Sequence, residues 1–284
     1  MNSIHDLDEA IDMWFEEDIQ DGDHTTLSTI IFDANGSAEL LVKEKGVLAG
    51  VDVAERIFKR FDPKVEFNTF IPDGANVTPG DVAFRVSGRV HSLLQCERLV
   101  LNVMQRMSGI ATTTHSYVKL LEGTGTHILD TRKTTPGIRM LEKYAVRLGG
   151  GVNHRFGLYD MIMIKDNHID FAGSIEEAIK GTKEYLARKS LNLEIIVEAR
   201  SLEDIERVIA QGGVRRVLLD NFSVELTREA VRLVNHRIET ESSGGITRET
   251  IRSYAECGVN YISVGALTHQ ISSLDLSLKK VDGE

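Results

Sequence analysis

The chain has 284 residues, of which 42% are hydrophobic and 27% charged, and a formal net charge of −10 at pH 7. This composition suits one large or two modest globular domains, and the acidic balance disfavours a general role in binding nucleic acid or anionic membranes. The two cysteines, Cys96 and Cys257, sit in helical patterns without a CxxC spacing, which predicts buried free thiols in a reducing cytoplasm. The acidic start of the chain predicts no signal peptide, and no apolar run approaches the length of a membrane span.

The first ninety residues predict a small α+β unit with an antiparallel sheet. An amphipathic helix, ended by residues 21–23, is indicated by apolar residues at helical spacing: Ile4, Leu7, Ile11, Trp14, Phe15 and Ile19. Alternating or apolar runs predict strands over 37–45, 64–71 and 81–87. Gly46 and Gly50 bracket a turn, and Asp52 is predicted to cap a helix that continues to Phe61.

A long helix is predicted over 93–107, ended by Ser108 and Gly109, with a second helix over 112–122. Arg98 and Arg106 lie off the apolar stripe of the first helix, where the usual explanation is a solvated polar face.

From His127 onward, strand and helix patterns alternate. The predicted strands are 127–129, 161–164, 193–197, 217–219, 238–240 and 261–264, and the predicted helices are 138–148, 174–188, 201–211, 223–234 and 247–257. This alternation indicates a parallel sheet buried on both faces, and we interpret it as an α/β barrel with fewer strands than usual. The tail from Ser272 either returns to the N-terminal sheet or trails away; the sequence leaves this open.

Charged, polar or glycine residues follow the end of each predicted barrel strand. They are Arg132 and Lys133; Lys165, Asp166, Asn167 and His168; Glu198 and Arg200; Asp220 and Asn221; Ser243, Gly244 and Gly245; and Gly265 and Ala266. Barrel enzymes build their active sites at the carboxyl ends of the strands, so these residues predict a site at that edge.

The stretch 129–137 carries adjacent Arg132 and Lys133 between hydroxyl residues and a Pro-Gly turn. A guanidinium beside an ammonium suits a site that holds carboxylate and phosphate together, although a solvated basic loop is the alternative. With Arg155 and Lys165, and with His154 beside Arg155, these cations predict a pocket for a small anion with several charges.

Glu198 and Asp220 end neighbouring predicted strands, which suits Mg²⁺ held together with phosphate oxygens; the alternative is that each pairs with a nearby arginine. The turns Ser243–Gly244–Gly245 and Val264–Gly265–Ala266 would offer backbone amides to a phosphate. Neither a Ser/His/Asp or Cys/His arrangement nor a zinc spacing stands out. From the residues alone, the chemistry suggested is transfer involving a phosphorylated sugar and an anionic acceptor.

Several blocks of sequence resemble one family. The most specific are Asp130-Thr131-Arg132-Lys133-Thr134-Thr135-Pro136-Gly137 and Lys165-Asp166-Asn167-His168. Further matches are Glu97-Arg98, Gly149-Gly150-Gly151 with His154-Arg155, Glu198, Leu219-Asp220-Asn221, Ser243-Gly244-Gly245 and Ser263-Val264-Gly265-Ala266. Over nearly its whole length the chain resembles the quinolinate phosphoribosyltransferases. Ala199-Arg200 departs from the expected pattern without affecting a predicted catalytic position.

The resemblance implies an N-terminal α+β sandwich with an antiparallel sheet, over 1–110 with the tail 270–284, and an incomplete parallel α/β barrel over 111–269. It implies transfer of a phosphoribosyl group from phosphoribosyl pyrophosphate to quinolinate with decarboxylation, in NAD biosynthesis. Mg²⁺ is the implied cofactor. A cytoplasmic homodimer or dimer-based hexamer is also implied, with no nucleic-acid or membrane partner.

The same resemblance implies residue roles. Arg132, His154, Arg155 and Lys165 would bind the quinolinate carboxylates, joined by Arg98 from the partner subunit. Thr131 would bind substrate, Lys133 would meet the phosphates, and Glu198 and Asp220 would meet the ribose and metal. Lys133, Glu198 and Asp220 are therefore the predicted catalytic residues. The turns at Ser243–Gly245 and Val264–Ala266 would hold the 5-phosphate.

Two other functions compete with this one. A related phosphoribosyltransferase would use another acceptor, such as nicotinate, but one carboxylate needs fewer cations than the chain supplies. A barrel that only binds phosphorylated metabolites for regulation would have no need for carboxylates beside an anion.

Overall fold

The computed structural model describes residues 4–281, with side chains from Leu7 onward. The side chain of Ile4 in the predicted first helix, and residues 282–284 of the predicted tail, lie outside the described residues. The helices are α1 Ile4–Ile19, α2 His24–Thr29, α3 Val51–Phe61, α4 Val90–Leu120, α5 Arg139–Leu148, α6 Asp166–Ala172, α7 Ile175–Lys189, α8 Leu202–Gln211, α9 Val224–Val234, α10 Ile251–Ala255 and α11 Ala266–His269. The strands are β1 Asn35–Val42, β2 Gly46–Val47, β3 Glu66–Thr69, β4 Asn76–Val77, β5 Val82–Arg89, β6 His127–Leu129, β7 Ile162–Ile164, β8 Ile195–Ala199, β9 Arg216–Asp220, β10 Glu239–Ser243, β11 Tyr261–Ser263 and β12 Leu276–Val281.

The chain divides into two compact units. The first contains the chain up to His115, Thr134–Gly150 and the chain from Leu267; the second contains Ser116–Lys133 and Gly151–Ala266. Each unit therefore draws on more than one stretch of sequence. The domain limits predicted from the sequence, at residues 110 and 269, stay a prediction.

The first unit is built on a four-stranded antiparallel sheet in the order β12-β1-β5-β3. Along β1, Ala38, Leu40 and Val42 are buried while their neighbours are more exposed, as the alternating pattern predicted. The last strand of the described chain pairs antiparallel with β1, from Ser37 opposite Val281 to Val42 opposite Leu276. The tail thus returns to the N-terminal sheet, which decides between the two alternatives that the sequence left open.

The start of α3 differs from the prediction. Gly50 is the N-cap, in the left-handed region at φ 98°, and Asp52 lies in the first turn. The carboxylate that accepts from the Val51 amide, at 2.8 Å, belongs to Asp73. The prediction that Asp52 caps this helix is wrong because a distant side chain supplies the acceptor. Gly46 also pairs with Val77 in a short ladder instead of only opening a turn.

The predicted helix end at Ser108–Gly109 is also wrong, since α4 continues through both residues. The Ser108 hydroxyl donates to the Ala49 carbonyl at 3.1 Å and accepts from the Ala49 amide at 2.9 Å. A Cβ built on Gly109 would lie 2.2 Å from the Ser272 carbonyl oxygen. These residues therefore permit close packing against the helix and do not end it.

Arg106 on α4 does not form part of a simple solvated face. Its Nη2 lies 2.6 Å from Oε1 of Glu142, a residue of α5 that is 1% exposed, and also donates to the Thr135 hydroxyl and the Thr268 carbonyl. The contacts of Arg106 therefore connect three stretches of the first unit that are far apart in sequence.

The second unit is built on a six-stranded parallel sheet in the order β6-β11-β10-β9-β8-β7. β6 and β7 form the two ends of that sheet, which makes an incomplete parallel α/β barrel and confirms the predicted fold class. Its apolar core includes Ile164, Ile179, Ile195 and Val197, where β7 and β8 meet α7.

Short elements were the ones that the sequence pattern missed, namely α2, β2, β4 and α6, and α10 is shorter than the predicted helix. Cys96 and Cys257 are buried free thiols, as predicted. Within residues 4–281, no helix combines the length and the apolar character that crossing a membrane would require.

Candidate active site

The parallel sheet of the second unit brings the predicted site residues to one edge. Because neighbouring parallel strands run in the same direction, their carboxyl ends meet at the same edge of a sheet. Arg132 follows β6, Lys165 follows β7, Glu198 and Asp220 lie at the ends of β8 and β9, and Ser243 ends β10. The site was predicted at this edge.

Asp130 organises the segment that carries His154 and Arg155. The residue is fully buried, and its carboxylate accepts from Asn153 Nδ2 at 2.6 Å and from the His154 amide at 2.8 Å. Val152 also forms a parallel bridge with Leu129. The stretch 152–155 is thereby tied to the end of β6, although a whole helix, α5, separates them in the sequence.

Arg132 and Arg155 lie close enough for their charges to interact. Burial lowers the pKa of the Arg155 guanidinium, and the like charge of Arg132 lowers it further. Arg155 Nη1 donates to the Met161 carbonyl at 3.2 Å, which fixes its direction. Two guanidinium groups whose charges repel each other would be stabilised by an anion bound beside them.

The loop after β6, which carries Arg132 and Lys133, contains a hydrogen bond that fixes its backbone. The Lys133 amide donates to the Thr131 hydroxyl at 3.0 Å, which closes a tight turn, and the side chains of Arg132 and Lys133 are exposed. The turn presents these basic side chains at the end of the strand, where they can contact an anion without a change in the backbone.

Lys165 and Glu198 form an ion pair, with Lys165 Nζ 3.0 Å from Glu198 Oε2. Glu198 is 5% exposed, whereas the Lys165 side chain is 47% exposed. His168 Nδ1 accepts from the Lys165 amide at 2.9 Å, and this contact sets the start of α6. One alternative for Glu198 was an arginine partner; the partner in the structure is this lysine.

Asp220 and the glycine turn after β10 are connected through Asn221. Asn221 has φ 55°; its Nδ2 donates to Asp220 Oδ2 at 2.8 Å, and its amide donates to the Ser243 carbonyl at 2.9 Å. Gly244 and Gly245 have φ values of 94° and 61°. Since side chains disfavour this region, the turn requires glycine.

The second predicted phosphate turn begins at Val264. The Val264 amide donates to the Leu129 carbonyl at 3.0 Å and is therefore already used in the sheet. Gly265 and Ala266 follow it at the start of α11. The predicted phosphate contact at this turn would then depend on Gly265 and Ala266 more than on the Val264 amide.

The oxygen ligands present suit Mg²⁺ only if a bound phosphate completes its coordination. Within the part of the chain that the structure describes, no group of three or more His, Cys, Asp or Glu side chains could hold a metal by itself. Mg²⁺ commonly binds through one or two carboxylates together with substrate phosphates. Asp220 and Glu198 could supply those carboxylates, although Glu198 Oε2 is already paired with Lys165.

Arg98 belongs to the first unit. It lies on α4 with an exposed side chain, and none of the described carboxylates forms an ion pair with it. Its predicted role in a partner subunit's site stays a prediction.

Two charged residues inside the barrel strands were missed by sequence reasoning. Arg216 begins β9 and is 8% exposed; Glu241 lies within β10 and is fully buried. Arg216 Nη1 donates to Glu241 Oε2 at 2.9 Å, and His154 Nε2 lies 3.4 Å from the same oxygen. The available signal was a charged residue inside a run otherwise typical of a buried strand.

Comparison with known proteins identifies relatives over nearly the whole chain. The family models for the N-terminal and C-terminal domains of quinolinate phosphoribosyl transferase match residues 23–108 and 110–279. A chloroplastic nicotinate-nucleotide pyrophosphorylase [carboxylating] of Arabidopsis thaliana is 44% identical, with 97% of this chain and 83% of that protein covered. A mitochondrial quinolinate phosphoribosyltransferase [decarboxylating] of Nicotiana tabacum is 41% identical, with 97% and 82% covered. The solved nicotinate-nucleotide pyrophosphorylase of Francisella tularensis superposes with a TM-score of 0.93 at 37% identity, covering 99% of this chain and 98% of that one.

Proposed function

The chain belongs to the quinolinate phosphoribosyl transferase family, and from that membership we propose how its own residues carry out the family's reaction. The enzyme transfers the phosphoribosyl group of phosphoribosyl pyrophosphate to the ring nitrogen of quinolinate. Pyrophosphate and CO₂ leave, and nicotinate mononucleotide is formed for NAD biosynthesis. The resemblance found in the sequence is thus confirmed at the level of family and reaction.

The observation that carries the assignment of quinolinate to this site is that Asp130 ties the segment carrying Arg155 to the end of β6, where Arg132 follows. Burial lowers the pKa of Arg155 and the like charge of Arg132 lowers it further, so an anion bound beside this guanidinium would stabilise its charged form. A diacid carries two negative charges and would therefore neutralise these cations better than a monoacid. Lys165, at the end of the neighbouring strand β7, would add a third positive charge for the second carboxylate.

Two carboxylates would act on the sugar. Loss of pyrophosphate leaves positive charge on the ribose ring, and Glu198 and Asp220 would stabilise that charge more in the transition state than in the ground state. Lys133 would meet the leaving pyrophosphate, with Thr131 supporting the turn that presents it. Gly244 and Gly245, with Ser243, would hold the 5-phosphate through backbone amides.

Decarboxylation needs no nucleophilic side chain. Once the ring nitrogen carries the ribose, the ring accepts the electron pair that CO₂ leaves behind, and the carbon then takes a proton. The arginines would orient the diacid while this happens. A bound Mg²⁺, held by Asp220 and Glu198 with phosphate oxygens, would help neutralise the pyrophosphate charge.

The oligomeric state forms part of the proposal. Arg98, exposed on α4, would complete the quinolinate site of a partner subunit in a homodimer or dimer-based hexamer. A cytoplasmic location is proposed on the composition alone, from two free thiols and an acidic chain.

Arg132→Ala tests the assignment of the diacid site. Loss of a charge-assisted contact to a carboxylate is expected to lower kcat/KM for quinolinate more than about a hundredfold. The assay measures nicotinate mononucleotide and CO₂ from quinolinate, with nicotinate as the control acceptor. Arg200→Ala is the matched control, because Arg200 follows β8 at the same edge but pairs with Asp170 at 3.0 Å. Near-normal turnover of quinolinate by the Arg132 variant would contradict the assignment.

A further inference from the structure

A chain of buried charged residues lies below the proposed site, within the second unit. Along β9, Arg216, Leu218 and Asp220 point to one face of the sheet, and along β10 Glu239, Glu241 and Ser243 do the same, since side chains alternate along a strand. Arg216 is paired in register with Glu239, and Asp220 with Ser243. The buried charges and the proposed catalytic carboxylate therefore share one face.

The contacts of this chain are specific. The Arg216 guanidinium donates to Glu241 Oε2 at 2.9 Å and lies 3.8 Å from the centre of the Tyr261 ring. Its Nε and Nη2 both lie 3.3 Å from Glu239 Oε2. The other side of Glu241 Oε2 faces His154 Nε2 at 3.4 Å. Glu241 thus connects an arginine deep in the sheet with a histidine beside the site.

Stability is a poor explanation for these buried charges. Taking an ion pair out of water usually costs as much as the pairing returns, so apolar residues would serve a core better. Glu241 Oε1 is buried and makes no hydrogen bond to any of the described residues. Burial by itself would raise the pKa of Glu241, but His154 and Arg216 outweigh burial and hold the pKa below its usual value. A charged carboxylate kept in the core at this cost, 3.4 Å from the His154 ring, points to a role at the neighbouring site.

Both ring nitrogens of His154 face protein groups. Nδ1 accepts the amide hydrogen of Arg155 at 2.7 Å, so Nδ1 carries no proton in this arrangement. Nε2 faces Glu241, and a carboxylate there favours the tautomer with its proton on Nε2. The His154 side chain is only 5% exposed. Glu241 thus fixes the orientation of the His154 ring, and the ring in turn fixes the position of the Arg155 amide.

We propose that Arg216, Glu241 and His154 form a positioning chain that fixes the backbone at Arg155 and so aims its guanidinium at the acceptor diacid. In this arrangement His154 acts through the backbone of Arg155, in addition to the carboxylate contact that the family resemblance implies for it. This inference rests on the proposed function of the site, because its effect is measured on quinolinate.

Glu241→Gln is the first test, since it keeps the shape and removes the charge. We expect KM for quinolinate to rise about tenfold, with kcat and KM for phosphoribosyl pyrophosphate changing less than about threefold. Arg216→Lys keeps the positive charge but loses the planar guanidinium that donates to both Glu239 and Glu241. This variant is also expected to raise KM for quinolinate. Arg215→Gln is the matched control: Arg215 also pairs with Glu239, at 2.6 Å, but makes no described contact with Glu241.

His154 offers a second test with two variants. In His154→Asn, the side-chain oxygen stands near the place of Nδ1 and can still accept the Arg155 amide, whereas His154→Ala removes the acceptor. Because His154 is also a predicted ligand of the diacid, both variants are expected to raise KM for quinolinate, and the Ala variant is expected to raise it about tenfold more than the Asn variant does. A ¹⁵N spectrum of the histidine rings should show His154 with its proton on Nε2, a signature that disappears in His154→Asn and is altered in Glu241→Gln.

The outcomes separate this inference from the proposed function. If the wild-type enzyme does not convert quinolinate at all, the proposed function fails. If it does, and folded Glu241→Gln and Arg216→Lys leave KM for quinolinate unchanged, the positioning chain is wrong. The positioning chain is equally contradicted if His154→Asn is as impaired as His154→Ala. Should Glu241→Gln not fold, the Arg216 and His154 variants decide.

Discussion

Asn221 and Gly244 show how single residues shape the proposed phosphate turn. A Cβ built on Gly244 would lie 2.2 Å from Asn221 Oδ1 and 3.0 Å from the Asn221 amide nitrogen. Real Cβ atoms do not approach other atoms so closely. Asn221 also holds the Asp220 carboxylate through its Nδ2. A change at Gly244 would therefore disturb the turn and the carboxylate together.

Gly244→Ala is expected to raise KM for phosphoribosyl pyrophosphate by more than about tenfold, because the new methyl group must displace Asn221. Gly80→Ala is the control: Gly80 has φ 98°, close to the 94° of Gly244, but nothing lies within 4 Å of the added Cβ. Both variants carry the backbone strain of about 1–2 kcal/mol, and only the first carries the clash. Steady-state kinetics and thermal unfolding of the two variants separate the effects. Equal KM values would contradict the expected clash.

At the scale of whole elements, two helices each contain an internal glycine, and the surroundings of these two glycines differ. Gly109 in α4 lets the Ser272 backbone approach, whereas Gly181 in α7 has open space around it. A glycine in a helix interior costs about 0.5–1 kcal/mol relative to alanine unless something needs the space. The same substitution should therefore change stability in opposite directions at the two positions.

Gly109→Ala is expected to lower the free energy of unfolding by about 1–3 kcal/mol through overpacking. Gly181→Ala is expected to raise it by about 0.5–1 kcal/mol through helix propensity. Urea unfolding followed by circular dichroism measures both. A stabilised Gly109→Ala would show that the contact with Ser272 adjusts without cost.

The junction of α3 and α4 contains a carboxylate that should make stability depend on pH. The Ser92 hydroxyl donates to Asp62 Oδ2 at 2.7 Å, and that hydrogen bond is the main cause of a lowered pKa for Asp62. A lowered folded-state pKa means that the stabilisation is complete above the unfolded value of about 4. It is lost as the pH falls through the folded value.

Ser92→Ala should therefore reduce the free energy of unfolding by about 1.5–3 kcal/mol at pH 6–7, and the difference from wild type should shrink below about pH 4. Ser28→Ala is the control, because its hydroxyl donates to the Thr25 carbonyl, which does not titrate. Thermal unfolding of the three proteins across this pH range gives the comparison. A difference for Ser92→Ala that stays constant with pH would exclude Asp62 as its source.

At the scale of the whole molecule, the acidic chain concentrates positive charge at one edge of its second unit. The formal net charge is −10, yet Arg132, Lys133, Arg155 and Lys165 all belong to that edge. The proposed site would be complete only with Arg98 from another subunit, so activity should depend on assembly. A symmetric dimer with shared sites permits a direct test.

Arg98→Ala and Lys165→Ala, each nearly inactive alone, should regain about a quarter of wild-type activity when mixed and allowed to exchange subunits, because half the dimers are mixed and each has one intact site. Mixing Arg132→Ala with Lys165→Ala is the control and should regain nothing, since both residues belong to the same subunit's site. Confirmed mixed dimers without activity would remove the shared-site proposal.

The sequence by itself determined most of the longer strands and helices and their order along the chain, the parallel sheet, and the edge where the charged and polar site residues gather. It could do so because periodicity and strand direction are local properties, and because parallel strands place their carboxyl ends together. The blocks around Arg132 and Lys165 also determined the family. Only the tertiary structure decided that Ser108 and Gly109 continue α4, that Asp73 caps α3, and that Glu241 joins Arg216 to His154. Each of these depends on a partner distant in sequence, whose approach is set by packing and strand register and leaves no local pattern to read.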